Sequence, residues 1–375
     1  MKVTDVKSFL VHPTTKSGLT IDKNWLFVKL TTDDGIEGWG EAFTMRDREK
    51  GIAQFVEEVG RYVIGRNPFR IKEFAQIVHK FAEGRGSVDL CSAVSGIEQA
   101  LWDIVGKSLK TPVYNLLGGP CREKIRVYAN GWTRGTKSPH ELATRAANLI
   151  KKGFTAIKFY PFLSGDPEDN MKAVENVRAV REAVGRDVDI LIDVWRRSDP
   201  QQAIRIARML EEFNIFWYEE PVPSENADVL AEVRAAVNVP VVTGECLYTK
   251  FDFRRILENR AADILNPDVA SCGGILQFKE IAAMAEPYLV SISPHNYNST
   301  ALGLAATIQV SAVIPNFVIA EYFVSFVETG DAISKNPLRI ENGYISLPTG
   351  PGLGLEVEEE ALKNFPYQRF DLRSL

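Results

Sequence analysis

Apolar and polar side chains alternate near the start of the chain, over Lys2–Val11, and Trp25–Thr32 and Ile36–Glu41 follow as strand-like runs. That period turns one face of an extended segment toward a core, and the Asp33-Asp34-Gly35 cluster supplies a turn, so a hairpin followed by a third strand is predicted. The period then lengthens to three or four residues over Gly51–Ile64, Arg70–Ala82 and Ser92–Leu109, the spacing of amphipathic helices. Together these segments make an α+β lobe.

From about Ile125 the texture changes to short β-branched or aromatic runs alternating with amphipathic stretches. The runs read IRVYANG, TAIKFYPF, VDILIDVW, IFWYEEPV, VPVVTGE, ADILNPDV, YLVSISPHN and NFVIAEYF, with helical patterns such as Pro139–Lys152 and Pro200–Phe213 between them. Eight such strands joined by helices predict a closed parallel β/α barrel, with an open doubly wound sheet as the competing fold. After Ala332 the alternation is lost, and the Gly/Pro-rich ENGYISLPTGPGLGLEVEEEAL suggests an excursion from the barrel. The chain therefore divides into a lobe at 1–124, a barrel at 125–331, and a segment at 332–375 expected to pack back on the lobe.

Composition adds mainly exclusions. The 375 residues are 45% hydrophobic and 25% charged with a net charge of −5, which favours neither nucleic acid nor an anionic membrane as partner. Cys91, Cys121, Cys246 and Cys272 lack CxxC spacing, so neither a zinc site nor a disulfide framework is expected. The opening MKVTDVKSFLVHP reads as a strand rather than a signal peptide, and no apolar run reaches membrane-spanning length; a soluble cytoplasmic protein is expected.

In a barrel of this kind chemistry sits at the C-terminal ends of the strands. Here those ends carry Lys158 and Tyr160, Asp193, Glu219 and Glu220, Glu245, Asp268, His295 and Glu321. Asp193, Glu219 and Glu245 recur at a constant step of 26 residues, which places them equivalently on three neighbouring strands. Three converging carboxylates repel one another unless a cation sits between them, and all-oxygen donors suit magnesium. Solvated loop acids are the competing interpretation. Asp268, at the matching place on the adjacent strand, would hold the tautomer of His295 and raise its basicity.

These residues resemble the mandelate racemase subgroup of the enolase superfamily. The likeness runs through GWGEA in the lobe, SAVSGIEQALWDIVGK and LLGG before the barrel, YEEP and GE on the fourth and fifth strands, NPD and CGG around the sixth, and the closing PGLG. The resemblance implies a capping domain, completed by the C-terminal segment, on a modified (β/α)7β TIM barrel that lacks its last helix. It also implies Mg2+ on Asp193, Glu219 and Glu245, a His295–Asp268 general-base dyad, Glu321 hydrogen-bonded to a substrate carboxylate, and a homo-oligomer.

Two departures bear on the reaction. Many members carry Lys-x-Lys on the second strand, whereas this chain has Lys158-Phe159-Tyr160, and a phenol with an ordinary pKa near 10 is a poor base at neutral pH. Trp195 stands where some related dehydratases place a histidine. Epimerisation needs acid–base groups on both faces of the intermediate, while elimination of water needs one dyad. A hydro-lyase acting on a sugar acid is expected, with His295 or Tyr160 protonating the leaving hydroxyl. Lys158 is expected to bind the substrate carboxylate, or alternatively to pair with the ligand carboxylates. IKFYPF and YANGW are similar to gluconate dehydratases and NWLFVKLTTDDGIEGWGEA to galactonate dehydratases. Candidate specificity loops are Pro13–Asn24 and Phe43–Arg48, with Lys16, Arg46 and Trp195 as candidate substrate-binding residues. The alternatives are an epimerase or cycloisomerase of a hydroxy acid or sugar-acid lactone, and a non-catalytic sugar-acid-binding protein.

Overall fold

A computed structural model describes residues 1–14, 23–81, 87–162, 170–196, 198–297 and 299–370. Strands β1 (Val3–Val11), β2 (Trp25–Thr32) and β3 (Glu37–Ala42) form an antiparallel sheet in that order, turned at Gly35 with its φ of +81°. Helices α1 (Glu49–Gly60), α2 (Ile71–Phe81) and α3 (Val88–Ser108) bury Ile52, Val56, Phe74, Ile97 and Leu101 against it. GWGEA owes its two glycines to α3: a Cβ at Gly40 would lie 2.1 Å from the Gly96 carbonyl oxygen, and one at Gly38 2.2 Å from that of Ala100. The helix therefore packs backbone to backbone on β3. It also starts at Val88, one turn before the predicted Ser92, because Val88 and Cys91 bury too.

A short α4 (Val113–Leu116) leads to the barrel. Its parallel strands are β4 (Lys124–Asn130), β5 (Ala156–Phe159), β6 (Asp189–Asp193), β7 (Trp217–Glu219), β8 (Val241–Thr243), β9 (Ile264–Leu265), β10 (Ser291–Ile292) and β11 (Ala320–Phe323), and β11 closes the ring on β4. Between them run α5 (Pro139–Lys151), α6 (Asn170–Val184), α7 (Pro200–Leu210), α8 (Ala227–Ala236), α9 (Thr249–Glu258), α10 (Ile275–Ala285) and α11 (Leu302–Val313). After β11 comes only α12 (Val327–Ala332) in place of an eighth barrel helix. Three helix starts are set by side-chain caps: Ser138 to Glu141 N at 3.3 Å, Asp199 to Gln202 N at 2.9 Å and Asn226 to Val229 N at 3.2 Å. Pro139 and Pro200 stand just inside the first two.

The two-residue strand period explains how the barrel carries polar residues. Tyr128, Ala156, Leu191, Trp217, Ile264 and Ile319 point inward and pack together as the apolar floor. Two residues further along the same strands come Asn130, Lys158, Asp193, Glu219, Asn266 and Glu321, one layer above that floor. Several strands are shorter than the sequence pattern suggests. Pro267 and Pro294 lack the N–H needed to extend β9 and β10, so Asp268 and His295 lie three residues past their strand ends, joined there by a single parallel bridge. The helix expected to reach Phe213 ends at Leu210 and tightens into a 3-10 turn, closed by Asn214 at φ +48°.

The last segment first forms a hairpin, β12 (Ile340–Glu341) with β13 (Tyr344–Ser346), whose second strand lies antiparallel on the start of β4. It then returns to the lobe. Leu353 N donates to Asp103 Oδ1 at 2.8 Å, α13 (Glu359–Leu362) brings Glu359 to Lys29, and His12 N donates to the Phe365 carbonyl at 2.9 Å. Among the described residues no helix is long and apolar enough to cross a membrane.

Lobe and barrel are joined by polar side chains of α3 that are fully buried. Ser95 accepts from Gly273 N at 2.9 Å, and Gln99 bonds both backbone groups of Glu41 while reaching the Val269 carbonyl at 3.3 Å. Glu98 accepts from Ile275 N at 2.7 Å and Leu276 N at 2.9 Å, so it caps α10 from another part of the chain. Gly274 leaves it room, since a Cβ there would stand 2.1 Å from Glu98 Oε2. Burial outweighs those hydrogen bonds and pushes Glu98 from its ordinary 4.5 up to about 7. An acid whose folded-state pKa is raised contributes stability below its unfolded value and loses it as pH climbs through the folded one. Unfolding free energy should therefore fall between about pH 4.5 and pH 7 by on the order of 1–3 kcal/mol on account of Glu98. Glu98→Gln should flatten that slope in denaturant titrations across the range, and parallel curves would remove Glu98 as the cause.

Candidate active site

The mouth of the barrel gathers the polar layer into one buried cluster. Asp193, Glu219 and Glu245 each offer a carboxylate oxygen, and the three atoms lie within 4.8 Å of one another. Asp193 ends β6, and Glu219 ends β7 beside it in register. Glu245 follows β8 by two residues. Burial first, then their mutual repulsion, raises the pKa of Asp193 and, much more strongly, that of Glu219.

Lys158 is the direct answer to that repulsion. Its Nζ lies 2.8 Å from Glu219 Oε1, 3.2 Å from Glu321 Oε1 and 3.6 Å from Asp193 Oδ2. Burial works to neutralise the amine, but these acids outweigh it and hold its pKa well above 10.5. Of the two roles expected for Lys158, the structure thus displays the salt bridge to the acid cluster. Glu219 is further fixed by Asn266 Nδ2 at 2.9 Å on Oε1 and by the indole of Trp217, one layer below, at 3.0 Å on Oε2. Asn266 Oδ1 is buried without a hydrogen-bond partner among the described residues.

Glu245 is shared. One oxygen faces Arg196 Nη1 at 3.0 Å and the other His295 Nε2 at 3.0 Å. Burial alone would raise Glu245, yet His295 and Arg196 bring it down to about 2. Glu220 turns the other way through a positive φ of 49°, accepting from Thr243 Oγ1 at 2.6 Å and Gly244 N at 3.1 Å and facing Arg196 at 3.3 Å. It buttresses the turn that carries Glu245.

His295 donates from Nδ1 to Asp268 Oδ2 at 2.7 Å, which leaves Nε2 turned toward the acids. Burial lowers its basicity, but Glu321, Glu245 and Asp268 together raise its pKa well above 6.5. Glu321 accepts from Asn130 Nδ2 at 2.6 Å and Asn296 N at 2.7 Å. Burial opposes its ionisation, and Lys158 and His295 overcome that, so the pKa of Glu321 is lowered.

The remaining expected residues are more peripheral. The ring of Tyr160 is half-buried and tilted against Phe162. Trp195 is 51% exposed in a left-handed conformation, its backbone N–H donating to Asp193 Oδ1 at 2.9 Å. Arg46 lies against Asp47 and the ring of Phe370, and Lys16 falls outside the described residues. Sequence reasoning missed Arg196, Asn130 and Asn266, and Lys23 fell within the expected loop Pro13–Asn24 without being singled out. The two asparagines were legible in principle, since both sit one strand period above an apolar floor residue. Arg196 and Lys23 come from irregular backbone and carry no periodic signal.

Residues 1–118 match the mandelate racemase/muconate lactonizing enzyme N-terminal domain and residues 141–361 the enolase C-terminal domain-like family. The chain is 36% identical over 372 residues to the D-galactonate dehydratase of Variovorax paradoxus, covering 96% of this chain and 94% of the relative. It is 34% identical over 374 residues to that of Cronobacter sakazakii, covering 96% and 93%. Among solved structures, a mandelate racemase/muconate lactonizing enzyme-like protein from Roseovarius superposes with a TM-score of 0.91 at 35% identity, over 99% of this chain and 98% of that one. A mandelate racemase/muconate lactonizing enzyme from Sulfitobacter gives 0.91 at 34%, over 98% and 96%.

The Lys158 cluster makes a stability prediction. Removing one partner of a buried ion pair leaves uncompensated charge, so Lys158→Met should destabilise the metal-free protein by about 3–5 kcal/mol in urea unfolding with a chelator present. An unchanged midpoint would show that the acids are neutralised by protonation instead.

Proposed function

Because the chain belongs to the mandelate racemase/muconate lactonizing enzyme family of enolase-like proteins, we propose that it is a magnesium-dependent sugar-acid dehydratase that converts an aldonate to its 2-keto-3-deoxy acid. The observation that carries this reading is the placement of His295 Nε2, oriented by Asp268, beside a triad of carboxylates in one buried mouth. The names of the relatives support the choice of a sugar acid.

The donor set fits the metal. Three carboxylate oxygens within 4.8 Å of one another, with no sulfur or imidazole among them, suit a hard octahedral cation, and the orphaned Asn266 Oδ1 marks a polar partner still wanting beside Glu219. Asp193, Glu219 and Glu245 would hold it. When bound, the cation supplies positive charge that offsets the repulsion of the triad, weakens the hold of Glu245 on the imidazole proton, and favours build-up of negative charge on a substrate carboxylate.

The residues of the chain carry the rest. His295 Nε2 removes the proton α to the carboxylate, leaving an enediolate. Asp268 keeps the proton on Nδ1 and stabilises the imidazolium that forms. A substrate carboxylate arriving beside Glu321 favours the protonated form of that acid, which then donates to the carboxylate. The imidazolium returns its proton to the β-hydroxyl, which leaves as water from the same face. Lys158 keeps Glu219 and Glu321 in place. The setting is cytoplasmic on this reading, in keeping with four cysteines that form no disulfide.

Purified protein with magnesium, incubated with a panel of aldonic and aldaric acids, should give a 2-keto product with at least one aldonate, detected as its semicarbazone. Exchange of the α-proton with deuterium but no keto product from any acid would point to epimerisation instead. His295→Asn should abolish both turnover and exchange, and substantial residual exchange in that variant would assign the base elsewhere. In Glu219→Gln one of three negative ligands is lost, so magnesium should bind at least about tenfold more weakly by calorimetry; an unchanged affinity would take Glu219 out of the metal site.

A further inference from the structure

The cations around the mouth are not equivalent. Lys158 lies within 4 Å of three carboxylates and Arg196 within 4 Å of two. Lys23, from the segment entering β2, is only 4% exposed, and among the described residues no carboxylate oxygen lies within 4 Å of its Nζ. Its one described hydrogen bond runs to the Tyr297 carbonyl at 2.8 Å, although an ammonium group has three N–H donors.

The placement of this ammonium is specific. Nζ sits 3.8 Å from the ring centre of Phe43 and 5.4 Å from that of Tyr297. The same two rings flank His295, Phe43 at 6.3 Å and Tyr297 nearly parallel to it at 6.1 Å. Lys23 and the histidine thus share one aromatic cage. The neighbouring Asn24 is fully buried and fixes the backbone, bonded to His12 at 3.0 Å, Glu49 at 2.9 Å and the Gln368 carbonyl at 3.0 Å. Among the described residues one carbonyl and the faces of two rings meet this desolvated ammonium, so an acceptor on a bound ligand would stabilise it further.

We propose that Lys23 is a substrate-binding residue, donating its remaining N–H groups to a hydroxyl of the sugar chain beyond the reacting carbons, and that this contact selects a polyhydroxy monoacid. The inference rests on the dehydratase reading and sharpens its substrate class. The acceptor is a neutral hydroxyl rather than a second carboxylate because Asp268, Glu41 and Glu321 already act on this ammonium through space. A further negative charge there would face three existing ones. Burial, the largest influence, lowers the pKa of Lys23 in spite of those acids, in keeping with a desolvated group.

The test uses the magnesium-loaded enzyme and the aldonate that turns over best in the panel above, together with its 4-, 5- and 6-deoxy analogues. In the wild type one of these deoxy acids should show a KM raised about 10- to 100-fold, the loss expected for one hydrogen bond to a charged donor. Lys23→Met should raise KM for the parent acid by a similar factor with kcat within about threefold, and the deoxy penalty should vanish in that variant. The wild-type comparison needs no variant, so a misfolded Lys23→Met would not remove the test. An equal deoxy penalty in both proteins, the absence of any penalty in the wild type, or a higher kcat/KM on the matching aldarate overturns the assignment while wild-type turnover leaves the dehydratase reading standing. If no acid is turned over, that reading falls and this one with it.

Discussion

Mutual repulsion among buried carboxylates is the constraint to which the rest of this molecule answers. At about 5 Å and an effective dielectric near 20, two unit charges repel by roughly 3 kcal/mol. Three such pairs among Asp193, Glu219 and Glu245 approach the whole stability of an ordinary domain. Lys158, Arg196 and His295 are placed against that load. Lys158 sits between Glu219, Glu321 and Asp193, while Arg196 and His295 divide Glu245 between them. The raised pKa of Glu219, due first to burial and then to its neighbours, marks what these cations leave uncompensated.

Such a cluster needs a scaffold that does not yield. The lobe supplies it through α3, whose Ser95, Glu98, Gln99 and Asp103 direct hydrogen bonds to barrel loops, to β3 and to the returning C-terminal segment. A helix interior with buried acids at this spacing is expensive unless each oxygen is met by a donor, and here backbone N–H groups meet them. The same segment that entered β2 from the lobe also carries Lys23 to the histidine's aromatic cage.

Much of this was legible in the sequence because it follows from periods. The alternation in VDILIDVW sets Leu191 and Asp193 on one side of β6, and a step of 26 residues repeats that placement at Glu219 and Glu245. What lay off the period stayed hidden. Arg196 reaches Glu245 only because Trp195 and Arg196 are both left-handed, at φ 49° and 59°, a conformation no side-chain pattern announces. Strand ends were overextended for a related reason. The apolar runs continue through Pro267 and Pro294, but the hydrogen-bond ladder cannot. The pairing of Lys158 with the ligand carboxylates was one of its two expected roles, while its reach to Glu321 as well was not legible.

That pairing bears on the reaction. A lysine acting as base has to be neutral, and Lys158 is held protonated by the acids that surround it, which outweigh the effect of its burial. On the proposed reading, the face of the intermediate opposite His295 meets Lys158 as a cation, and neither a phenol with an ordinary pKa near 10 nor an indole, the side chains of Tyr160 and Trp195, is a good base near neutral pH. An intermediate served from one side can return its proton or expel a neighbouring group, but it cannot exchange configuration. With a β-hydroxyl within reach of the imidazolium, expulsion of water is the outcome that this asymmetry favours.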